Sequence, residues 1–353
     1  MSLTLDNLKT HTVATILSNW FSKNQRDLPW RETNDPYKIW LSEIILQQTR
    51  VAQGTPYYNA FTSRFPTIKN LADATQDEIL KLWQGLGYYS RARNLHAASK
   101  QVMTEFNGVF PRSYNDIIKL KGVGPYTAAA IASIAYGEET AVVDGNVIRV
   151  ISRVFGISDD TNLTTTKKHI QHISDDLIKG RKPSEHNQAI MEFGAIQCIP
   201  KNPGCDICPI SQRCFALKTN QVERLPYKVK KLKRRSRYFH FLIISDGQNT
   251  LLEKRGEQGI WAGLYQFPLL ETESDKFGPR MLEKAGFPKT NYTLEKSIAT
   301  RKHVLTHQDI HATFHHFRTN ELSDTNFQKV KLDEVHTFAL PRLIDRYLES
   351  NSI

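Results

Sequence analysis

The chain has 353 residues, with 47 Lys and Arg against 36 Asp and Glu and a formal charge of +11. That length buries a sizeable core and makes two domains the leading expectation, while the charge favours a polyanionic partner whose counterions Lys and Arg displace. No apolar run approaches bilayer-crossing length, the first ten residues lack a basic stretch leading into an apolar core, and all four cysteines fall within residues 198–214, so the chain reads as soluble and intracellular rather than spanning or disulfide-stapled.

Residues up to about 217 read as helix after helix, with apolar side chains three and four apart in Val13, Ile16, Leu17, Trp20 and Phe21, and few strand signals. Glu43 sits in an otherwise apolar helical stretch, Trp40 to Leu46. A carboxyl among hydrocarbon has its charged form disfavoured and can carry a proton near neutral pH. Gly122 and Gly124 form a tight turn before a helix opened by Pro125, exposing backbone N–H groups at the positive end of the helix dipole, and Ala128 to Ala130 let that helix pack closely. This is the helix-hairpin-helix pattern that grips one DNA strand without reading sequence; an ordinary helical hairpin is the plainer reading. Asp144 lies in a polar loop and stays ionised. With Glu43 it makes a pair that protonates a leaving group and stabilises an oxocarbenium-like centre, which points to hydrolysis at a glycosidic carbon. Asp144 equally suits the cap of a helix beginning near Val147. Cys198, Cys205, Cys208 and Cys214 are separated by six, two and five residues, within reach of one centre, and as four thiolates fit zinc or an iron–sulfur cluster.

Residues 218–237 read as an interdomain linker, basic over 228–237, that is either solvated or a phosphate-contacting tether. The period then changes to two: Tyr238 to Ile244 and Leu251-Leu252 flank a turn at Asp246 to Asn249, which predicts a hairpin, and residues 310–317 alternate again. With helical patterns around Met281 and over 343–348, residues 238–353 form a small α+β domain. His303, His307 and His311 are four apart, but in strand and turn that spacing does not gather ligands.

Leu28-Pro29-Trp30, residues 40–50, residues 85–95, the glycine hairpin, Asp144-Gly145-Asn146 and the cysteine spacing together resemble the MutY adenine DNA glycosylase family, over nearly all of residues 1–217. The resemblance implies a multi-domain chain. Its first part is an all-α helix-hairpin-helix glycosylase domain of the endonuclease III type, with one 4Fe–4S cluster on the four cysteines. It implies a monofunctional adenine DNA glycosylase acting in base excision repair on adenine opposite 8-oxoguanine or guanine in double-stranded DNA, leaving an abasic site. By it, Glu43 protonates adenine N7, Asp144 stabilises the sugar cation, Tyr126 and Asn146 support that chemistry, Gln48 and Tyr88 are wedge positions for base flipping, and Arg31 and Gln188 lie near the flipped adenine. It further implies a cytoplasmic monomer, nucleoid-associated if prokaryotic, with a sliding clamp and later repair enzymes as candidate partners.

Residues 259–268 resemble the strand entry of Nudix-like domains, which implies a smaller α+β 8-oxoguanine-recognition domain. The glutamate-rich helix of a working Nudix hydrolase is missing from residues 271–286, so binding without pyrophosphate hydrolysis is expected. Leu305-Thr306-His307 matches the family's Phe-Ser-His recognition loop, keeping a hydroxyl and losing the aromatic ring. Ile148 stands where several relatives carry lysine. The rival readings are a bifunctional endonuclease III-type pyrimidine-lesion glycosylase, which needs an amine nucleophile where Tyr126 stands, a nucleotide-pool Nudix hydrolase, and a non-enzymatic lesion-binding protein.

Overall fold

Helix α1 (Leu5–Asn24) is followed by α2 (Pro36–Leu46), α3 (Val51–Arg64), α4 (Ile68–Asp73), α5 (Gln76–Leu82), α6 (Ser90–Glu105), α7 (Tyr114–Ile117), α8 (Pro125–Tyr136), α9 (Gly145–Phe155), α10 (Thr164–Ile178), α11 (Pro183–Glu192) and α12 (Phe215–Lys218). The computed structural model describes residues 5–229, 234–278, 280–287, 291–300, 302–322 and 326–351. Two units result: Met1–Asp73 with Ala97–Lys230, and Ala74–His96 with Lys231–Ile353. Residues 74–96 thus group with the second unit. Polar side chains explain the regrouping: Lys81, Gln84, Tyr89 and Arg93 all bond backbone carbonyl or N–H groups of residues 262–340.

In the first unit the three-and-four spacing of α1 buries Val13, Leu17 and Phe21 against Ala129 and Ala130 of α8, Val147 and Val150 of α9, Ile170 of α10 and Ile190 of α11. Asn187 of α11, almost wholly buried, ties this core to the approach to α9: its amide donates to Ser133 Oγ and Thr140 O, both at 2.8 Å, and its Oδ1 accepts from Val142 N–H at 3.1 Å. Capping sets the starts of the helices that matter for the site. Asp35 accepts from Tyr37 N–H before α2, and Pro36 and Pro125 occupy first-turn positions of α2 and α8.

The linker expectation changes in detail. Residues 230–233 lie outside the described residues, but the chain before them is fastened rather than free: Thr161 donates to Tyr227 O from both N–H and hydroxyl, and Arg153 Nε donates to Leu225 O. The strand expected from Tyr238 begins at Arg235.

The second unit is built on β1 (Arg235–Ser245), β2 (Asn249–Lys254), β3 (Tyr265–Gln266), β4 (Leu269–Thr272), β5 (Thr293–Ala299), β6 (His303–Val304), β7 (Gln308–Arg318) and β8 (Gln328–Lys331), with α13 (Arg280–Lys284) and α14 (Arg342–Ser350). The turn at Asp246 forms as expected, with Gly247 at φ +95°, but the hairpin opens after Ser245↔Thr250. β1 pairs instead in parallel with β7, from Arg235↔Gln308 to Ser245↔Arg318, and antiparallel with β4. Burial is accordingly continuous from Phe239 to Ile244 rather than alternating, because a central strand is covered on both faces.

Inside this sheet His240 Nδ1 and His315 Nε2 are 3.0 Å apart, Ser297 Oγ lies 2.8 Å from His315 Nδ1, and Phe277 stacks on His315 at 3.9 Å between ring centres. Burial, then the neighbouring His240 and His316, push His315 down to about 4 from 6.5. A histidine depressed in the folded state contributes stability fully above its unfolded pKa and loses it as pH falls through the folded one. The His315 share, about 3 kcal/mol, should therefore be lost between pH 6.5 and 4, and His315→Leu should lessen the pH dependence in pH-resolved thermal melts while the part carried by the equally depressed His316 remains.

Candidate active site

A cleft of about 640 Å³ in the first unit brings together Glu43, Tyr126, Asp144 and Asn146, with Arg31, Gln48, Gly122 and Gly124 on its walls. Glu43 is the only carboxylate of α2, whose Ile39, Trp40, Leu41, Ile44 and Ile45 are buried. Tyr126, in the first turn of α8, donates its hydroxyl to Glu43 Oε2 at 2.6 Å. Burial raises Glu43 to about 7; the Tyr126 hydrogen bond opposes this and the Asp144 charge adds to it. Burial also drives the Tyr126 phenol well above its usual value, so it remains a donor.

Asp144 caps α9, which starts at Gly145: its Oδ1 accepts from Val147 N–H and its Oδ2 from Asn146 Nδ2, both at 2.8 Å. Capping and site membership are thus compatible roles of one side chain. Burial raises the Asp144 pKa, and these donors, with Arg149 nearby, hold it back. Of the two coupled carboxyls, the one with several donors ionises first, which leaves Glu43 to hold the proton.

Asn146 is itself held. Arg149 donates to Asn146 Oδ1 at 2.8 Å, to Gly194 O at 2.6 Å and to Cys198 O at 2.7 Å. Gly194 lies in a π-helical turn (Phe193–Gln197) that widens the end of α11, and a Cβ there would stand 2.6 Å from Asn146 Cβ, so only glycine permits this approach. Ile148 packs against the apolar core.

The structure moves one expected residue out of the cleft. Gln188 does not line it; one turn further along α11, Glu192 and Met191 do. Glu192 accepts from Arg26 Nε and NH2, both at 2.7 Å, and from Arg31 NH2 at 2.9 Å. Burial alone would raise its pKa, but the hydrogen bonds from Arg26 and Arg31 outweigh that and hold it down to about 2. Its signal in the sequence was the one that marked Glu43, an acid inside an apolar run, here Ala-Ile-Met-Glu-Phe. Gln48, exposed at the cleft rim, has φ +54°, and Gly122 in the hairpin turn has φ +76°.

Cys198, Cys205, Cys208 and Cys214 are unpaired, half-buried and line one small cavity with Arg153. Burial raises the Cys205, Cys208 and Cys214 thiols, Cys208 to about 11, and the neighbouring cysteines add to it. Among the described residues no three ligand side chains converge as a single metal ion requires.

Tyr88 lies in the second unit. With Leu305, Thr306 and His307 it lines a separate cleft of about 460 Å³, completed by Ile260, Trp261, His303 and Arg342. Its hydroxyl is 2.8 Å from Thr306 Oγ1. Trp261 holds φ +59°, an uncommon conformation for a bulky residue, and burial with Arg346 lowers His303. His311 stands in β7, stacked on Tyr238, and shares no site with His303.

A model of the HhH-GPD superfamily base excision DNA repair proteins matches residues 41–178, and a NUDIX domain model matches residues 239–350. The adenine DNA glycosylase of Buchnera aphidicola subsp. Schizaphis graminum is 33% identical over 342 residues, covering 95% of this chain and 97% of that protein. The Homo sapiens adenine DNA glycosylase is 41% identical over 218 residues, 59% of this chain and 40% of that one. Among solved structures, a thermostable thymine-DNA glycosylase superposes with TM-score 0.56 at 32% identity over 60% of this chain and 98% of its own. A trapped endonuclease III–DNA intermediate shares the fold with TM-score 0.54 at 21% identity, over 62% of this chain and 99% of its own. With apolar helices carrying two differently tuned carboxyls into one cleft, and relatives matched nearly end to end, the chain belongs to the adenine DNA glycosylase family of the HhH-GPD superfamily.

Proposed function

We propose that Glu43 and Asp144 divide the work of adenine release between a protonated and an ionised carboxyl. The observation that carries this is the 2.6 Å hydrogen bond from Tyr126 to Glu43 Oε2 in the cleft where Asn146 and Val147 anchor Asp144. Tyr126 occupies Oε2 and leaves Oε1 to hand a proton to adenine N7, which makes the base a better leaving group. Asp144, oriented by two donors, faces the positive charge that grows on the sugar as the glycosidic bond lengthens. Glu43, deprotonated by the first step, then takes a proton from the attacking water. Glu192 with Arg31 adds a fixed polar wall for the flipped base.

The substrate we propose is adenine opposite 8-oxoguanine or guanine in double-stranded DNA, held by a single chain. The turn at Gly122 and Gly124 presents backbone N–H groups before α8 for one phosphate run, and Gln48 stands at the cleft rim to fill the gap left by a flipped base. The Tyr88–Thr306 cleft takes the opposite base. Its aromatic and apolar lining offers a stacking surface, and Thr306 an edge hydrogen bond. α13 carries only Glu283 as an acid, which supports binding there without pyrophosphate hydrolysis. With no amine at the Tyr126 position, the product is an abasic site rather than a nicked strand.

The four cysteines fit one 4Fe–4S cluster. The ligand set is Cys₄, and the four side chains line one cavity, as ligands of a single cluster would. A bound cluster would supply cross-linking of residues 198–214, whose first carbonyl Arg149 holds. We expect iron and acid-labile sulfide in near-equal amounts, about four of each per chain. Zinc in their place would reverse the assignment.

Single-turnover assays on a duplex with adenine opposite 8-oxoguanine test the reaction. Glu43→Gln should keep duplex affinity and slow base release by about 10³-fold, with strand scission in the unaltered protein appearing only after hot alkali; unchanged turnover would remove Glu43 from the acid role. The base-release rate should fall as pH rises through about 7, where Glu43 loses its proton. Tyr126→Phe removes a hydrogen bond that lowers the Glu43 pKa, so it should slow release about tenfold and move that alkaline limb to higher pH. A limb that stays in place would unseat Glu43 as the titrating group.

A further inference from the structure

Leu340 is fully buried, and both polar groups of its backbone are taken by side chains that bracket one turn. Its N–H donates to Gln84 Oε1 at 3.1 Å, and its carbonyl accepts from the Tyr89 hydroxyl at 3.4 Å. Gln84 Nε2 donates to Asp345 Oδ1 at 2.8 Å, and Lys81 Nζ donates to Gln84 Oε1 at 3.2 Å, to His336 O at 2.6 Å and to Phe338 O at 3.2 Å. The enclosed turn is costly on its own. Gly85 and Gly87 take φ values of +100° and +73° without steric cost, but Tyr88 is held at +47°, and a bulky residue persists in that region only where its surroundings over-determine it. At its tip the half-exposed Tyr88 reaches Thr306.

We propose that Gln84 and Tyr89 are positioning residues: by gripping the Leu340 backbone from either side they hold the strained turn so that Tyr88 meets Thr306, and discrimination of the base opposite adenine depends on that grip. The proposal rests on the reading of the Tyr88–Thr306 cleft as the site for that base. Neither residue lines the catalytic cleft. Loss of the grip therefore alters how the opposite base is read while leaving the rate of bond breaking alone. The sequence-level division of the chain hides this arrangement, because the superfamily model runs unbroken through residues 85–89.

The test uses full-length protein with Gln84→Ala, Tyr89→Phe and Thr306→Val. Each is read three ways: the ratio of duplex affinities for adenine opposite 8-oxoguanine and opposite guanine, the saturating single-turnover rate, and amide hydrogen exchange over residues 85–90. A lost hydrogen bond of ordinary strength predicts about a five- to tenfold fall in the affinity ratio for Gln84→Ala and Tyr89→Phe, saturating rates within about twofold, and faster exchange in the turn. Restoring the fork with Gln84→Glu combined with Asp345→Asn should recover the ratio relative to Gln84→Glu alone. If Thr306→Val lowers the ratio and the Gln84 and Tyr89 variants do not, the grip is overturned while the reading of the cleft stands. A lower melting temperature with an unchanged ratio likewise overturns the grip. If Thr306→Val leaves the ratio intact, the reading of the cleft fails and the dependence of discrimination on the grip is overturned with it; faster exchange over 85–90 in both variants then supports only the hold on the turn, and unchanged exchange overturns that as well.

Discussion

The cleft that holds Glu43 and Asp144 depends on how closely α8 can approach its neighbours. Ala128, Ala129 and Ala130 are wholly or almost wholly buried, and with no side chain beyond Cβ they let α8 pack against α2 and α11. That approach puts the Tyr126 hydroxyl 2.6 Å from Glu43. Larger residues there would overpack the core and part the phenol from the carboxyl. The same closeness removes water from Glu43 and raises its pKa, so packing and acid strength share one origin.

Asp144 shows the complementary strategy. Burial works against its charge too, but a helix N-terminus and an asparagine amide are already aimed at its oxygens before substrate arrives. Fixed donors of this kind cost no reorganisation when charge develops nearby. The arrangement extends outward through Arg149, whose single guanidinium serves Asn146, the π-helical turn and the first cysteine carbonyl. Gly194 makes this possible by having no side chain where Asn146 must pass.

The second unit solves a different problem. Its central strand is buried on both faces, which gives the sheet rigidity, while the cleft beside it is lined by strained or exposed residues, Trp261 and Tyr88 among them. Strain of that kind persists where surrounding contacts over-determine the backbone. Leu340, Gln84 and Tyr89 supply such contacts for the Tyr88 turn. Buried neutral histidines run through the same sheet and tie its integrity to pH.

The helical character of residues up to 217, the paired carboxylates, the glycine hairpin and the local cysteine set were legible in the sequence because each is a short-range pattern: apolar spacing, turn chemistry, or ligand types within seventeen residues. Asp144 could be seen both as a cap and as a site residue; it caps α9 and lines the cleft. Long-range geometry was not legible. Gln188 and Glu192 lie one turn apart on α11, and which of them faces the cleft depends on how α11 packs against α1 and α8. Tyr88 sits within a helical stretch by sequence, yet its turn belongs to the second unit, because the side chains of Gln84 and Tyr89 found backbone partners some 250 residues away. The β1 hairpin read correctly at its turn and wrongly along its length, since parallel pairing with β7 leaves no local mark. Sequence by itself determined which chemistry the chain can do, through residue types at short spacings; tertiary structure alone decided which residues share a cleft, because that depends on packing between segments whose partners no local pattern encodes.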